Sequence, residues 1–144
     1  MGQVTASSSI SLDVPADRAV AALADYETTR PRILPDQYLD YQVVEGGSGD
    51  GTVVHWILKA TESRSRDVLA DVSVKGNSVT ETDRNSSMVT RYDVTPRGTG
   101  SGVTVTTTWN GAGGIGGFFE RIFAPLGLKK IQSLVLSNLQ RELA

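Results

Sequence analysis

Three side chains of this 144-residue sequence combine proton or charge chemistry with a position beside apolar neighbours: Arg66, Tyr92 and His55. Arg66 alternates with Val68 and Ala70, so a strand would turn it to the same face as they do, where a charge must be paired or reach water. In a pocket it could hold a carboxylate, phenolate or enolate oxygen, with Tyr92 as a neighbouring donor or acid. The plainer alternative puts Arg66 at the strand's start, paired with Glu62 or another surface acid. His55 adjoins Trp56 and therefore points the other way, with Val53, Ile57 and Lys59, to a convex surface. A one-residue bulge would turn it inward as the side chain best suited to shuttle protons near neutral pH. Tyr41, Trp56, Tyr92 and Trp109 share the inward parity of their segments, so they either stack on a flat ring or fill the core.

Other chemistries are excluded by composition. Cysteine is absent, which removes thiol catalysis and Cys-ligated metals, and the single histidine, His55, makes a His-based metal site or a Ser-His-Asp arrangement hard to build. Asp67, Asp71, Glu81 and Asp83 read as mostly outward-facing, so no carboxylate pair presents itself for metal or glycoside chemistry. No metal is expected. Lys+Arg 14 against Asp+Glu 16 gives a net charge of -2, too balanced to hold a nucleic acid. No segment is apolar enough to span or insert stably in a membrane, and the N-terminus does not resemble a secretory signal. A cytoplasmic protein is expected. Gly111, Gly113 and Gly116 match G-x-G-x-x-G after a strand, but no second parallel strand or distant acid follows them, so no dinucleotide or other cofactor is expected. The glycine-rich residues 111–117 read as a crossover, either an ordinary loop or a gate that lets Phe118 and Phe119 swing. Lys129, Lys130 and Arg121 form a small basic patch, read as a solvated face.

Hydrophobic period supplies the elements that must position these residues. Residues 3–12 alternate, with Val4, Ala6, Ser8, Ile10 and Leu12 on one side. An alanine-rich stretch from Pro15 predicts a short helix, and a connector or second helical turn follows over residues 27–35. Six strand candidates run over residues 37–109: one with Leu39, Tyr41 and Val43 facing one way; one with Val54, Trp56 and Leu58; one over residues 64–75; a short polar one near 78–82; one with Met88, Thr90, Tyr92 and Val94; and one with Val103, Val105, Thr107 and Trp109. Gly46, Gly47, Gly49 and Gly51 turn the first into the second. Phe118, Phe119, Ile122, Phe123, Ile131, Leu134, Val135 and Leu139 then fall at helical spacing, with a kink or break at residues 124–127 and a main helix from about 128 to 143. The fold class is α+β, in β-α-α-β6-α order: a curved antiparallel sheet of about seven strands wrapped around the C-terminal helix, residues 1–144 forming one domain.

The segment Ser11-Leu12-Asp13-Val14-Pro15-Ala16-Asp17-Arg18-Ala19-Val20, the Gly49-Asp50-Gly51-Thr52 hairpin, the Val103-Thr104-Val105-Thr106 strand and the amphipathic end resemble the SRPBCC, or START-like, helix-grip superfamily, nearest its polyketide cyclase/dehydrase-like branch. The resemblance implies a cavity between sheet and helix for a lipid, polyketide or other apolar molecule. The partner expected is such a small hydrophobic ligand, and the expected lining is Tyr41, Trp56, Arg66, Val68, Ala70, Met88, Tyr92, Val105, Thr107, Trp109, Phe119, Phe123, Ile131 and Val135. Two alternatives stand beside a binding role: a polyketide cyclase or dehydrase using Arg66, Tyr92 and His55, and a macromolecular interaction module with a closed core.

Overall fold

Alternation at period two becomes seven strands, and the computed structural model describes them within residues 3–61, 64–110 and 125–144. Strand β1 (Gln3–Leu12) is followed by helices α1 (Ala16–Ala24) and α2 (Thr29–Ile33). A meander follows, made of β2 (Tyr38–Glu45), β3 (Val53–Thr61), β4 (Arg64–Lys75), β5 (Ser78–Asp83), β6 (Val89–Arg97) and β7 (Gly100–Asn110), and α3 (Pro125–Glu142) ends the chain. The sheet runs β1-β7-β6-β5-β4-β3-β2, and every neighbouring pair is antiparallel. This is the α+β helix-grip arrangement. The inward residues of β3, β4 and β7, among them Val54, Trp56, Val68, Ala70, Val103, Val105 and Trp109, form a buried core with α1 and α3. Their outward neighbours are largely polar, as a sheet with one solvated face requires.

Two local devices bend the sheet toward its helices. In β2, Asp40 adopts a left-handed backbone (φ 53°), and the pairing with β3 shifts between Leu39 and Gln42. Such a bulge adds one residue to the alternation, and Asp tolerates that conformation better than most residues. Tyr38 and Tyr41 therefore both face Trp56, while Leu39, expected on the face of Tyr41 and Val43, is exposed. The β2–β3 turn is the second device. Gly46, Gly47, Gly49 and Gly51 all have positive φ, and the turn folds back on the end of α1: Gly49 N–H donates to the Ala24 carbonyl, and Tyr26 N–H donates to the Gly47 carbonyl. The glycine turn thus fixes where Tyr26 enters the core.

Helix α3 departs from expectation in two ways. Pro125 stands at its first position, where its missing N–H costs no hydrogen bond, and Gly127 lies inside the helix, so the described residues show no break at 125–127. Leu134, expected inward, is 37% exposed, whereas Gln132 and Leu136 are buried. The helix lies most closely along β1 and next on α2, and this tilt selects the face containing Leu128, Ile131, Gln132, Val135, Leu136 and Leu139. Gln132 is satisfied there: its Nε2 donates to the Ala6 carbonyl (3.1 Å) and to Thr107 Oγ1 (3.1 Å), and its Oε1 accepts from Ser8 Oγ (3.1 Å). The predicted segment with Phe118, Phe119, Ile122 and Phe123, the glycine run at 111–117, Arg121 and Glu62 lie outside the described residues.

Gly47 offers a test of the turn. Its φ of 143° is nearly exclusive to glycine, and an added Cβ would run into the Glu27 side chain. Gly47→Ala should lower stability by about 1–3 kcal/mol, read as a shift in the urea unfolding midpoint. A midpoint within error of the wild type would contradict this account of the turn.

Candidate functional site

Because α3 leans toward β1 and α2, the middle of the concave face is closed by side chains rather than by the helix backbone, and they leave a small cavity. Its volume is about 20 Å³, room for roughly one water-sized group. Tyr38, Trp56 and Leu58 wall it on one side, Glu81, Met88, Thr90 and Tyr92 on the next, Val105 and Thr107 on β7, and Leu128, Gln132 and Val135 from above. Trp56 is held edge-on by Tyr38 (ring centroids 5.6 Å apart) and stacked by Tyr41 (6.4 Å, 10° between planes).

The residues singled out from sequence are distributed as follows. Trp56, Met88, Tyr92, Val105, Thr107 and Val135 border the cavity, while Val68, Ala70, Trp109 and Ile131 are buried in the surrounding core. Tyr41 backs Trp56 from the half-buried side, its hydroxyl donating to the Tyr26 carbonyl. Arg66 occupies an inner-face position opposite Leu58, partly buried, with its Nε shielded from solvent. His55 points to the convex face and bonds Asp67 there, far from any proton-transfer role inside. Phe119 and Phe123 are not among the described residues.

The chemistry closest to the cavity comes from residues that the alternation analysis set aside. Glu81 and Asp83, expected mostly outward, are each only 5% exposed on the inner face of β5. The signal was present, since both share the parity of Val79, but the strand's polar composition obscured it. Asp83 is consumed locally, accepting from Leu69 N–H, Asn85 N–H and the Ser86 hydroxyl at the β5–β6 turn. Glu81 instead meets Arg30, which α2 buries to 2% exposure: Nη2 lies 2.5 Å from Glu81 Oε2 and 2.8 Å from the Tyr26 hydroxyl, and Nε donates to the Leu23 carbonyl at 2.8 Å. Tyr26 in turn donates its proton to Glu81 Oε2 at 2.6 Å. The guanidinium carbon lies over the rings of both Tyr26 (4.5 Å to the centroid) and Tyr92 (4.6 Å), two cation–π contacts. In the 29–33 segment Arg30 and Ile33, three apart, face inward while Arg32 faces out to Glu142, a helical spacing that identifies the buried arginine.

The electrostatics follow from burial. Desolvation pushes the Tyr26 and Tyr38 phenols well above their usual range and that of Tyr41 upward too, while Tyr92 is raised to about 12, with Arg30 opposing the effect throughout. Burial acts against the Arg30 charge, but the oxygens of Tyr26 and Glu81 outweigh it and hold the guanidinium protonated. At neutral pH the tyrosines are therefore hydrogen-bond donors, not bases. Among the described residues no group of His, Asp and Glu is arranged to hold a metal ion, and no helix is long and apolar enough to cross a membrane.

The sequence pattern of the family described as polyketide cyclase/dehydrase and lipid transport matches residues 3–144. Among solved structures, this chain is similar to KanY, known from solution NMR, with 53% identity over 99% of both chains and a TM-score of 0.91. A START superfamily protein from Mycobacterium smegmatis is 11% identical over 99% of this chain and 97% of that one, with a TM-score of 0.69. Norcoclaurine synthase from Thalictrum flavum, solved in complex with dopamine and hydroxybenzaldehyde, is 12% identical over 98% and 86%, with a TM-score of 0.68. At those identities the last two share the fold alone. A search of curated proteins found no match.

Two measurements test the buried polar cluster. Arg30→Met or Glu81→Gln alone strands one partner away from water and should cost about 3–5 kcal/mol in urea unfolding, whereas the double variant Arg30→Met/Glu81→Leu should recover most of that loss. Equal losses in single and double variants would sink the pairing argument. All four tyrosines have folded-state values above the unfolded value of about 10. Their contribution to stability is therefore complete below pH ~10 and is lost as pH rises through that value toward the folded-state ones. Tyrosinate absorbance should stay silent through pH ~10 and then appear together with unfolding; an early non-cooperative rise would contradict it.

Proposed function

Because the chain belongs to the polyketide cyclase/dehydrase and lipid-transport family, we propose that it acts as one START-like binding unit, taking a small apolar or aromatic molecule between the concave sheet face and α3. The observation that carries this reading is the cavity's position and wall: it lies between sheet and helix, with Trp56, Tyr38 and Tyr92 on the sheet side and the aliphatic Leu128 and Val135 on the helix side. At about 20 Å³ it is smaller than any such guest, so entry requires α3 and its side chains to move outward. That motion is supported by the way the helix is held, chiefly along β1 and α2 and not across the cavity. A guest burying ~300 Å² of apolar surface would gain roughly 7 kcal/mol before ordering and opening costs, enough for affinities near the micromolar range.

A binding role is favoured over catalysis by the proton inventory. The lone histidine is on the opposite face, the phenols beside the cavity stay protonated, and Glu81 is engaged by Arg30 and Tyr26. The purified protein should retain a small molecule in native mass spectrometry, and flat aromatic compounds should raise its melting temperature. Leu128→Ala, which removes a buried side chain at the cavity, should lower stability by about 2–5 kcal/mol while increasing the melting shift produced by an aromatic guest. If no adduct is retained and no apolar compound stabilises either the wild type or Leu128→Ala, the cavity is closed and a macromolecular interaction role replaces the binding one.

A further inference from the structure

The polar groups lining the cavity are unevenly satisfied. Thr90 and Thr107 share a hydrogen bond between their hydroxyls (2.9 Å), and Gln132 Nε2 donates to Thr107 Oγ1, so these three serve one another. Two atoms are not served in this way. The Trp56 Nε1 hydrogen is buried, in a side chain only 5% exposed, with no hydrogen-bond partner among the described residues. Glu81 receives both Tyr26 and Arg30 on Oε2, leaving Oε1 without a hydrogen bond among those residues. A buried donor left unmatched is costly, and native structures rarely keep one without a purpose.

Trp56 and Glu81 both line the void of about 20 Å³, and a donor and an acceptor from them would match the needs of a single hydroxyl group, which accepts one hydrogen bond and gives another. We propose that Trp56 and Glu81 form a hydroxyl-recognition subsite: the guest presents an alcohol or phenol whose oxygen accepts from Trp56 Nε1 and whose proton is donated to Glu81 Oε1. The proposal rests on the cavity-binding reading above and refines it, because it selects hydroxylated aromatic guests over hydrocarbon chains and over ethers of the same shape. The Arg30 guanidinium, in contact with the Tyr26 and Tyr92 rings, holds Glu81 through Oε2 and so fixes the position of its other oxygen. Trp56 is similarly fixed by Tyr38 and Tyr41, so the donor is pre-positioned before a guest arrives.

The test is isothermal titration of a naphthol, its methyl ether and naphthalene into the wild-type protein and into Trp56→Phe. The ether cannot supply the proton that Glu81 would accept, and the variant keeps an aromatic ring but lacks the donor. The naphthol should bind the wild type at least about tenfold more tightly than either analogue; in Trp56→Phe, which keeps Glu81, its advantage over naphthalene should fall at least about threefold while it still outbinds its ether. Equal binding of all three to the wild type would overturn the subsite while leaving the cavity reading intact. An advantage of the naphthol over naphthalene that is undiminished in Trp56→Phe would likewise overturn the subsite. Binding of none of them would overturn both readings.

Discussion

Arg30 is held in the protein interior by Glu81, by the Tyr26 and Tyr92 rings and by the Leu23 carbonyl, and the concave face is organised around keeping that charge satisfied. Transferring a guanidinium and a carboxylate out of water costs several kcal/mol for each ion, and their attraction offsets this only when the remaining hydrogen-bonding positions are occupied. Here they largely are. The consequence reaches beyond the pair itself. A helix of five residues such as α2 has no independent stability, and its Arg30 ties it to β5 through Glu81 and to β6 through the Tyr92 ring. Tyr26, placed by the glycine turn between β2 and β3, completes the ligation, so the turn, α2 and the middle of the sheet depend on one another.

The same arrangement explains why a cavity exists at all. Seven strands present one apolar face, and α3 has to cover it. By lying along β1 and α2, and by using Gln132 to bond both β1 and β7, the helix settles toward one side of the concavity. Large aromatic side chains must fill the rest. Trp56 with Tyr38 and Tyr41, and Tyr92 with Arg30, are rigid groups that cannot close every gap, and the void lies between these two aromatic assemblies. The polyketide cyclase/dehydrase and lipid-transport family to which the chain belongs, and its START-like neighbours, share the sheet-and-helix frame.

Much of this frame is legible before any coordinate. Period-two alternation in residues with one apolar parity identifies all seven strands, and β4 is delimited to its observed ends, because each has a solvated face. Inward placement of Trp56, Met88, Tyr92, Val105 and Thr107 follows from the same parity. Leu39 defeats it, since the bulge at Asp40 inserts a residue that alternation does not reveal, and the same bulge brings Tyr38 to Trp56. Glu81 and Arg30 defeat it for a different reason. Pattern analysis assigns charges to water by default, and a buried ion pair joins residues 51 apart in sequence that carry no local mark of each other.

The sequence by itself determined the strands, their order along the chain, the short helix after the first of them and a terminal helix, because side-chain periodicity is a local property that burial on one side imposes residue by residue. Only the tertiary structure decided which polar groups go inside, where α3 rests on the sheet, and how small the remaining space is. Those outcomes depend on pairing charges and filling volume between segments distant in the chain, and the energies involved exist only once the segments meet.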